Sequence, residues 1–264
     1  MSEKKTSLPG KILIPLSYLV MIGVNWMANA KPINGRTTGQ VSDAYGNLFA
    51  PTGFTFAIWG LIYLLLAGYV LYYVGFFRDM RRPADVSLLE NTGIVFVISS
   101  AANAAWIYAW HYDILWLSMV LMVILLVCLI AANHFTREVR SDVYERYYVR
   151  LPFSVYFGWI TIATVANATV LLVSLKWDGF GISEVIWTAI ILSVAALIGI
   201  ATMLRNKDFA YGLVFVWAYS GILYKHTAQS GFDGRYPLVI TVVTVWIVIL
   251  GITSGMARFL SKRK

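Results

Sequence analysis

Uncharged stretches close to twenty residues long alternate with short polar ones along the whole chain. A helix needs about 20 apolar residues to cross the hydrocarbon core of a bilayer. On that measure the pattern predicts eight spans, roughly 11–30, 53–76, 91–110, 114–133, 151–175, 184–204, 209–226 and 236–258; the seventh is the shortest. Very short connections join the third to the fourth and the sixth to the seventh, so both pairs are expected to be antiparallel hairpins. The first span has Lys4, Lys5 and Lys11 before it and a small-residue Ala28-Asn29-Ala30 at its end, as a signal peptide would. Its uncharged run, Ile12 to Ala30, exceeds a usual signal core, and Trp26 suits an interfacial anchor, so it reads as a retained helix. The longest outer connection, 31–52, is rich in Gly, Asn, Thr and Ser, has no strong helical period, and is expected to act as a lid.

Composition agrees with spans rather than with a soluble core. The chain has 264 residues, 59% hydrophobic and 13% charged, against about 25% charged in an ordinary soluble domain. The fold class expected is therefore all-α, a polytopic membrane helical bundle. A net charge of +8 would suggest nucleic acid in a soluble protein. Here the basic residues lie in the connections, and no nucleic-acid partner is expected. With the N-terminus inside, only Lys31, Arg36, Lys176, Lys225 and Arg235 of the 21 basic residues fall on outer segments. That asymmetry follows the positive-inside rule and requires an even number of spans. The localisation expected is a multi-pass protein of the cell membrane with both termini cytoplasmic. Cys128 is the single cysteine and excludes an internal disulfide.

The search for chemistry first returns absences. No Lys, Arg, Asp or Glu falls in the middle of a span, which argues against ion coupling. His111, His134 and His226 sit at helix ends without ligand spacing, and no nucleotide loop or nucleophile motif is present. No catalytic residue, metal site or required cofactor is therefore assigned. What remains is aromatic and amide. The run from Asn47 to Phe77 places Phe56, Trp59 and Tyr63 at helical spacing on one face. The third span puts Ser99, Asn103, Trp106 and Trp110 on one face; the fifth does the same with Tyr156, Trp159, Ala163 and Asn167. At 1.5 Å per residue, Trp59, Asn103, Trp106 and Asn167 lie about 6–12 Å below the outer edge. Trp110, Trp116 and Trp177 also fit an interfacial belt, and an Asn between helices is often a packing bond. A planar apolar ligand would find stacking surfaces and a few orienting amides at that level.

These motifs resemble the TspO/MBR family, the tryptophan-rich sensory or translocator proteins. The likeness covers about residues 10–177. It rests on Pro51 with Phe54, Phe56, Trp59 and Tyr63 on the second helix; Asn103, Trp106 and Trp110 on the third; and Tyr156, Trp159, Ala163-Thr164 and Asn167 on the fifth. Where that family carries a proline in its second helix, this chain has Ala57-Ile58. The resemblance implies five helices with a long first loop over a ligand pocket, here 1–177 with the lid at 31–52. It leaves 178–264 as three additional helices.

The resemblance further implies a sensory or ligand-binding membrane protein. Its ligand would be a hydrophobic planar small molecule such as a tetrapyrrole (porphyrin or haem), held by Phe56, Trp59, Tyr63, Asn103, Trp106, Trp110, Tyr156, Trp159, Ala163 and Asn167. Lid residues Arg36 and Pro51 would lie above it, with Arg36 meeting an acidic substituent. A porphyrin-degrading enzyme and a transporter of an apolar solute remain open as alternatives. Gly251-x-x-x-Gly255 is a close-packing motif that serves either internal packing or a homodimer.

Overall fold

The computed structural model describes residues 6–77, 84–138 and 143–262, and these are helical with no strand among them. The basic residues at 4, 5, 78, 81, 82, 140, 263 and 264, which enter the orientation argument, lie outside the described residues. The helices are α1 (Leu8–Ala30), α2 (Thr38–Ala44), α3 (Ile58–Val74), α4 (Val86–His111), α5 (Leu115–Glu138), the short α6 (Val143–Glu145), α7 (Leu151–Ser174), α8 (Glu184–Asn206), α9 (Phe209–Thr227) and α10 (Pro237–Lys262). A π-helical turn, Arg146–Arg150, joins α6 to α7. Seven helical segments among the described residues are long and apolar enough to cross a membrane. The protein is thus a multi-pass membrane helical bundle. Helix α9 forms where the seventh span was expected, but it is more polar than the seven.

Local chemistry sets where helices begin. Ser7, Asp85, Ser183 and Asp208 cap α1, α4, α8 and α9, each side-chain oxygen accepting from a backbone N–H in the first turn. Lys207 takes the left-handed conformation between α8 and α9, which allows the tight reversal there. The second predicted span does not start as an α-helix. Gly53–Ala57 is a 3₁₀ turn and α3 begins only at Ile58. A 3₁₀ turn advances 3.0 residues per turn instead of 3.6, so the α-helical spacing expected from Phe56 onward begins only with α3, which carries Trp59 and Tyr63.

The chain divides into two compact units. The first comprises 1–36 and 59–157, the second 37–58 and 158–264. These bounds differ from the division expected at residue 177, and each unit is described by itself.

In the first unit α4 packs along α1 and α5. At one end, Glu90 accepts from the Ser7 backbone N–H (2.7 Å), the Ser7 hydroxyl (3.0 Å) and the Tyr73 hydroxyl (3.0 Å). This ties the entry of α1 to α4. Above it Tyr69, Phe96 and Phe153 form an aromatic core, with Tyr69 and Phe153 centroids 4.9 Å apart. At the other end, the Asn34 amide and the Arg36 guanidinium both donate to the His111 carbonyl, and Arg36 pairs with Asp113.

The second unit is built on α9, which packs against α8 and α10. Close approach needs glycine at Gly212, where a Cβ would overlap Ser254 Oγ and Met203 Sδ. Segment 37–58 is not the irregular lid expected from its composition. It carries α2, opened by a capping box in which Thr37 and Gln40 satisfy each other's backbone N–H groups. It is strapped to α9 and α8 at several points. Thr52 N–H donates to the Gly221 carbonyl (3.3 Å) and Trp217 Nε1 to the Thr55 carbonyl (2.9 Å). His226 Nε2 donates to the Leu48 carbonyl (2.9 Å), Leu48 N–H donates to Glu184 (3.2 Å), and Lys225 pairs with Asp43 (2.9 Å). Pro51 is buried in this strap. The Gly251-x-x-x-Gly255 face of α10 is exposed, and a Cβ added at either glycine meets nothing within 4 Å.

Candidate functional site

In the first unit, three helices bring five aromatic rings into one cluster. Trp59 leads α3, so its ring turns inward one helical turn before Tyr63, and the two stack at 5.5 Å with an 18° interplanar angle. Trp106 of α4 lies 6.5 Å from Trp59, and Tyr156 of α7 meets Trp59 edge-on at 5.9 Å. Trp106 in turn stacks on Trp110 at 5.4 Å. Trp110 is buried while Trp116 is 64% exposed. The belt position therefore suits Trp116, and Trp110 belongs to the interior cluster.

The cluster has one polar seam. Asn103, fully buried, sits one helical turn from Trp106. Its Oδ1 accepts from Asn25 Nδ2 at 2.6 Å and its Nδ2 donates to the Tyr156 hydroxyl at 3.1 Å. Asn25 Nδ2 also donates to the Met21 carbonyl at 2.9 Å. The Tyr63 hydroxyl is buried, faces the Asn103 amide and makes no complete hydrogen bond. Every side chain here is neutral, so the arrangement offers stacking and hydrogen bonding and no acid–base pair.

Asn25 is not among the residues expected from the sequence, because its partner Asn103 lies 78 positions away. An amide inside an otherwise apolar helix was the available signal, since burying an unpaired amide is costly.

The second unit holds the other expected residues. Phe56 meets Trp159 edge-on, 5.8 Å between centroids. Trp159 and Asn167 are buried and Ala163 is half-buried on α7. Phe54, expected beside Phe56, instead lies edge-on against Trp217 (5.9 Å) and Tyr224 (5.3 Å) of α9. Of the ten expected site residues, Trp59, Tyr63, Asn103, Trp106, Trp110 and Tyr156 share the first-unit cluster. Phe56 pairs with Trp159, Ala163 and Asn167 follow along the same helix, and these four belong to the second unit. The two lid residues separate likewise, with Arg36 on the Asp113 end of the first unit and Pro51 in the strap.

A membrane-embedded helical bundle with buried aromatic clusters and a neutral polar seam fits a membrane ligand-binding protein. Comparison with known families places it more closely. The TSPO-like protein family matches residues 11–256, nearly the whole chain, and the protein belongs to that family. The match runs past residue 177 and takes in α8, α9 and most of α10. No curated protein and no solved structure matches the chain.

Proposed function

We propose that the protein holds a hydrophobic planar ligand, of the size and shape of a porphyrin, against the first-unit aromatic cluster. Trp59, Trp106 and Trp110 supply stacking faces, Tyr63 and Tyr156 close the sides, and Asn103 orients the ligand. The observation carrying this reading is the tilted array Tyr63–Trp59–Trp106–Trp110, with consecutive centroids 5.4–6.5 Å apart around a fully buried amide. Simple packing does not need a polar group at its centre, and planar ligands are bound by apolar walls with few orienting polar groups. Family membership supports the same reading, as does a cluster built of Trp, Tyr and Asn side chains with no carboxylate, imidazole or basic group among them.

The test is titration of the purified protein in detergent with protoporphyrin IX, following tryptophan emission. Saturable quenching is expected, with its amplitude and affinity reduced in Trp59→Leu and Trp106→Leu. The chain has ten tryptophans, so the difference between wild type and each variant isolates the two indoles. Absence of saturable quenching, or quenching unchanged in both variants, overturns the proposal.

A further inference from the structure

The hydrogen bonds of the polar seam run in one direction, and that direction selects ligand chemistry. A backbone carbonyl can only accept, so the atom of Asn25 lying 2.9 Å from the Met21 carbonyl is its amide nitrogen. The same nitrogen lies 2.6 Å from Asn103, so the Asn103 atom there is its oxygen. The other end of the Asn103 amide is then a donor, and it donates to the Tyr156 oxygen at 3.1 Å. The chain Met21 O ← Asn25 → Asn103 → Tyr156 ends on a phenol that has accepted a hydrogen bond and still holds its own proton. Tyr156 is fully buried, and no acceptor among the described residues takes that proton. The Tyr63 hydroxyl, beside the Asn103 side chain, is a second buried phenol, with no hydrogen-bond partner among the described residues. Both phenols border Trp59, at 5.9 Å and 5.5 Å between ring centroids. Among the described protein groups, the deficit at this point of the cluster is therefore of acceptors.

We infer that the cluster recognises a carbonyl-type oxygen on the edge of its planar ligand, taken as a hydrogen-bond acceptor by the Tyr156 hydroxyl at the end of the Asn25–Asn103–Tyr156 relay. The inference rests on the first-unit cluster being the ligand site. Its specific content is that a ligand edge carrying only donors, or no polar atom, is disfavoured. Asn25 is a positioning residue, because by occupying the Asn103 oxygen it forces the Asn103 nitrogen toward Tyr156. Without Asn25 the Asn103 amide is free to turn over and take the Tyr156 proton itself, leaving nothing for the ligand.

Fluorenone and fluorene provide the test, being planar tricycles of nearly the same outline that differ in one carbonyl. Each is titrated calorimetrically into the full-length protein in detergent, with protein-free micelles as the blank, and the carbonyl stretch of bound fluorenone is followed by infrared difference spectroscopy. Wild type is expected to prefer the ketone by about five- to tenfold, the range of one net hydrogen bond, and to shift its carbonyl band to lower frequency. Tyr156→Phe removes one oxygen from an otherwise unchanged ring and is expected to bring the preference to about twofold or less and abolish the band shift. Asn25→Val is expected to do the same, read as the ratio of ketone to fluorene affinity within the variant, which a general packing defect would not change. Equal affinities for the two tricycles with an unshifted band overturn the inference and leave the planar-ligand reading intact. A preference and a band shift that survive in both variants also overturn it. Failure of both tricycles to bind overturns the inference together with the site on which it rests.

Discussion

Gly221→Ala and Gly251→Ala are the same chemical change with opposite expected signs. Gly221 lies in α9 under the strap, where an added Cβ would fall on Thr55 Oγ1, 2.8 Å from Thr55 Cγ2 and 3.0 Å from Thr55 Cβ. The strap cannot swing aside freely, because the Thr55 carbonyl receives Trp217 Nε1 and Thr52 N–H donates to the Gly221 carbonyl itself. Forcing a methyl group into a packed contact costs about 1–3 kcal/mol. Replacing glycine inside a helix returns about 1 kcal/mol, so the net loss is about 0–2 kcal/mol. Gly251 in α10 has nothing within 4 Å of its added Cβ and should show only the gain. The gap between the variants is then about 1–3 kcal/mol, or roughly 2–10 °C in melting temperature for a chain of this size. Thermal unfolding in detergent can be followed by helical circular dichroism and by dye labelling of Cys128, the single cysteine, which is buried in α5. Thr55→Ala removes the two nearest clashing atoms, so a double-mutant cycle with Gly221→Ala should show a coupling of about 1 kcal/mol or more. Gly221→Ala melting at or above Gly251→Ala, with no coupling to Thr55, would refute the close-packing account of the strap.

Three further changes probe the same region. His226→Phe keeps the ring's contacts with Phe232 and Tyr236 but leaves the Leu48 carbonyl unpaired, which is expected to cost about 1–3 kcal/mol. Lys225→Met removes an ion pair whose Asp43 partner is 55% exposed, so its loss should be under about 1 kcal/mol and should vanish in high salt; melts at low and high salt separate the two. Phe56→Leu gives up the edge contact with Trp159 and is expected to lose about 0.5–1.5 kcal/mol, read by the same melts.

The features visible in the sequence are those with a local cause. Each long helix follows from an apolar run, and side-chain caps mark the starts of α1, α4, α8 and α9, so their positions were recoverable. The three faces that carry Trp59, Trp106 and Tyr156 follow from helical spacing alone. Features set by contacts distant in sequence were hidden. Composition gave 31–52 as an irregular lid, because its backbone partners lie more than 130 residues away at Glu184, Gly221 and His226. The break between Ala57 and Ile58 was hidden for another reason: no residue there forbids a helix, and the 3₁₀ turn accompanies the strap's attachment through Thr55. Asn25 was legible as an oddity but not as a partner, since only packing of α1 on α4 brings it to Asn103.

Whether α9 crosses the membrane decides the side on which the C-terminus lies, and its composition alone understates its case. The helix is 19 residues long, about 28 Å at 1.5 Å per residue, close to the roughly 30 Å of a hydrocarbon core. Its polarity comes from tyrosines, one serine and a basic last turn, and the tyrosines most enclosed by protein are hydrogen-bonded. Tyr219 donates to the Leu192 carbonyl at 2.6 Å and Tyr211 to Thr161 at 3.2 Å. A helix whose polar groups are satisfied by neighbouring helices need not be as apolar as one facing lipid. Crossing by α9 makes the number of spans eight and puts both termini on the cytoplasmic side, with Lys225 and Arg235 outside. Reporter fusions test this. Green fluorescent protein after residue 207 or 264 should fluoresce, and alkaline phosphatase after residue 234 should be active. Activity of the phosphatase at 264 with none at 234 would mean that α9 does not cross, and the charge-based orientation of the C-terminal half would fall with it.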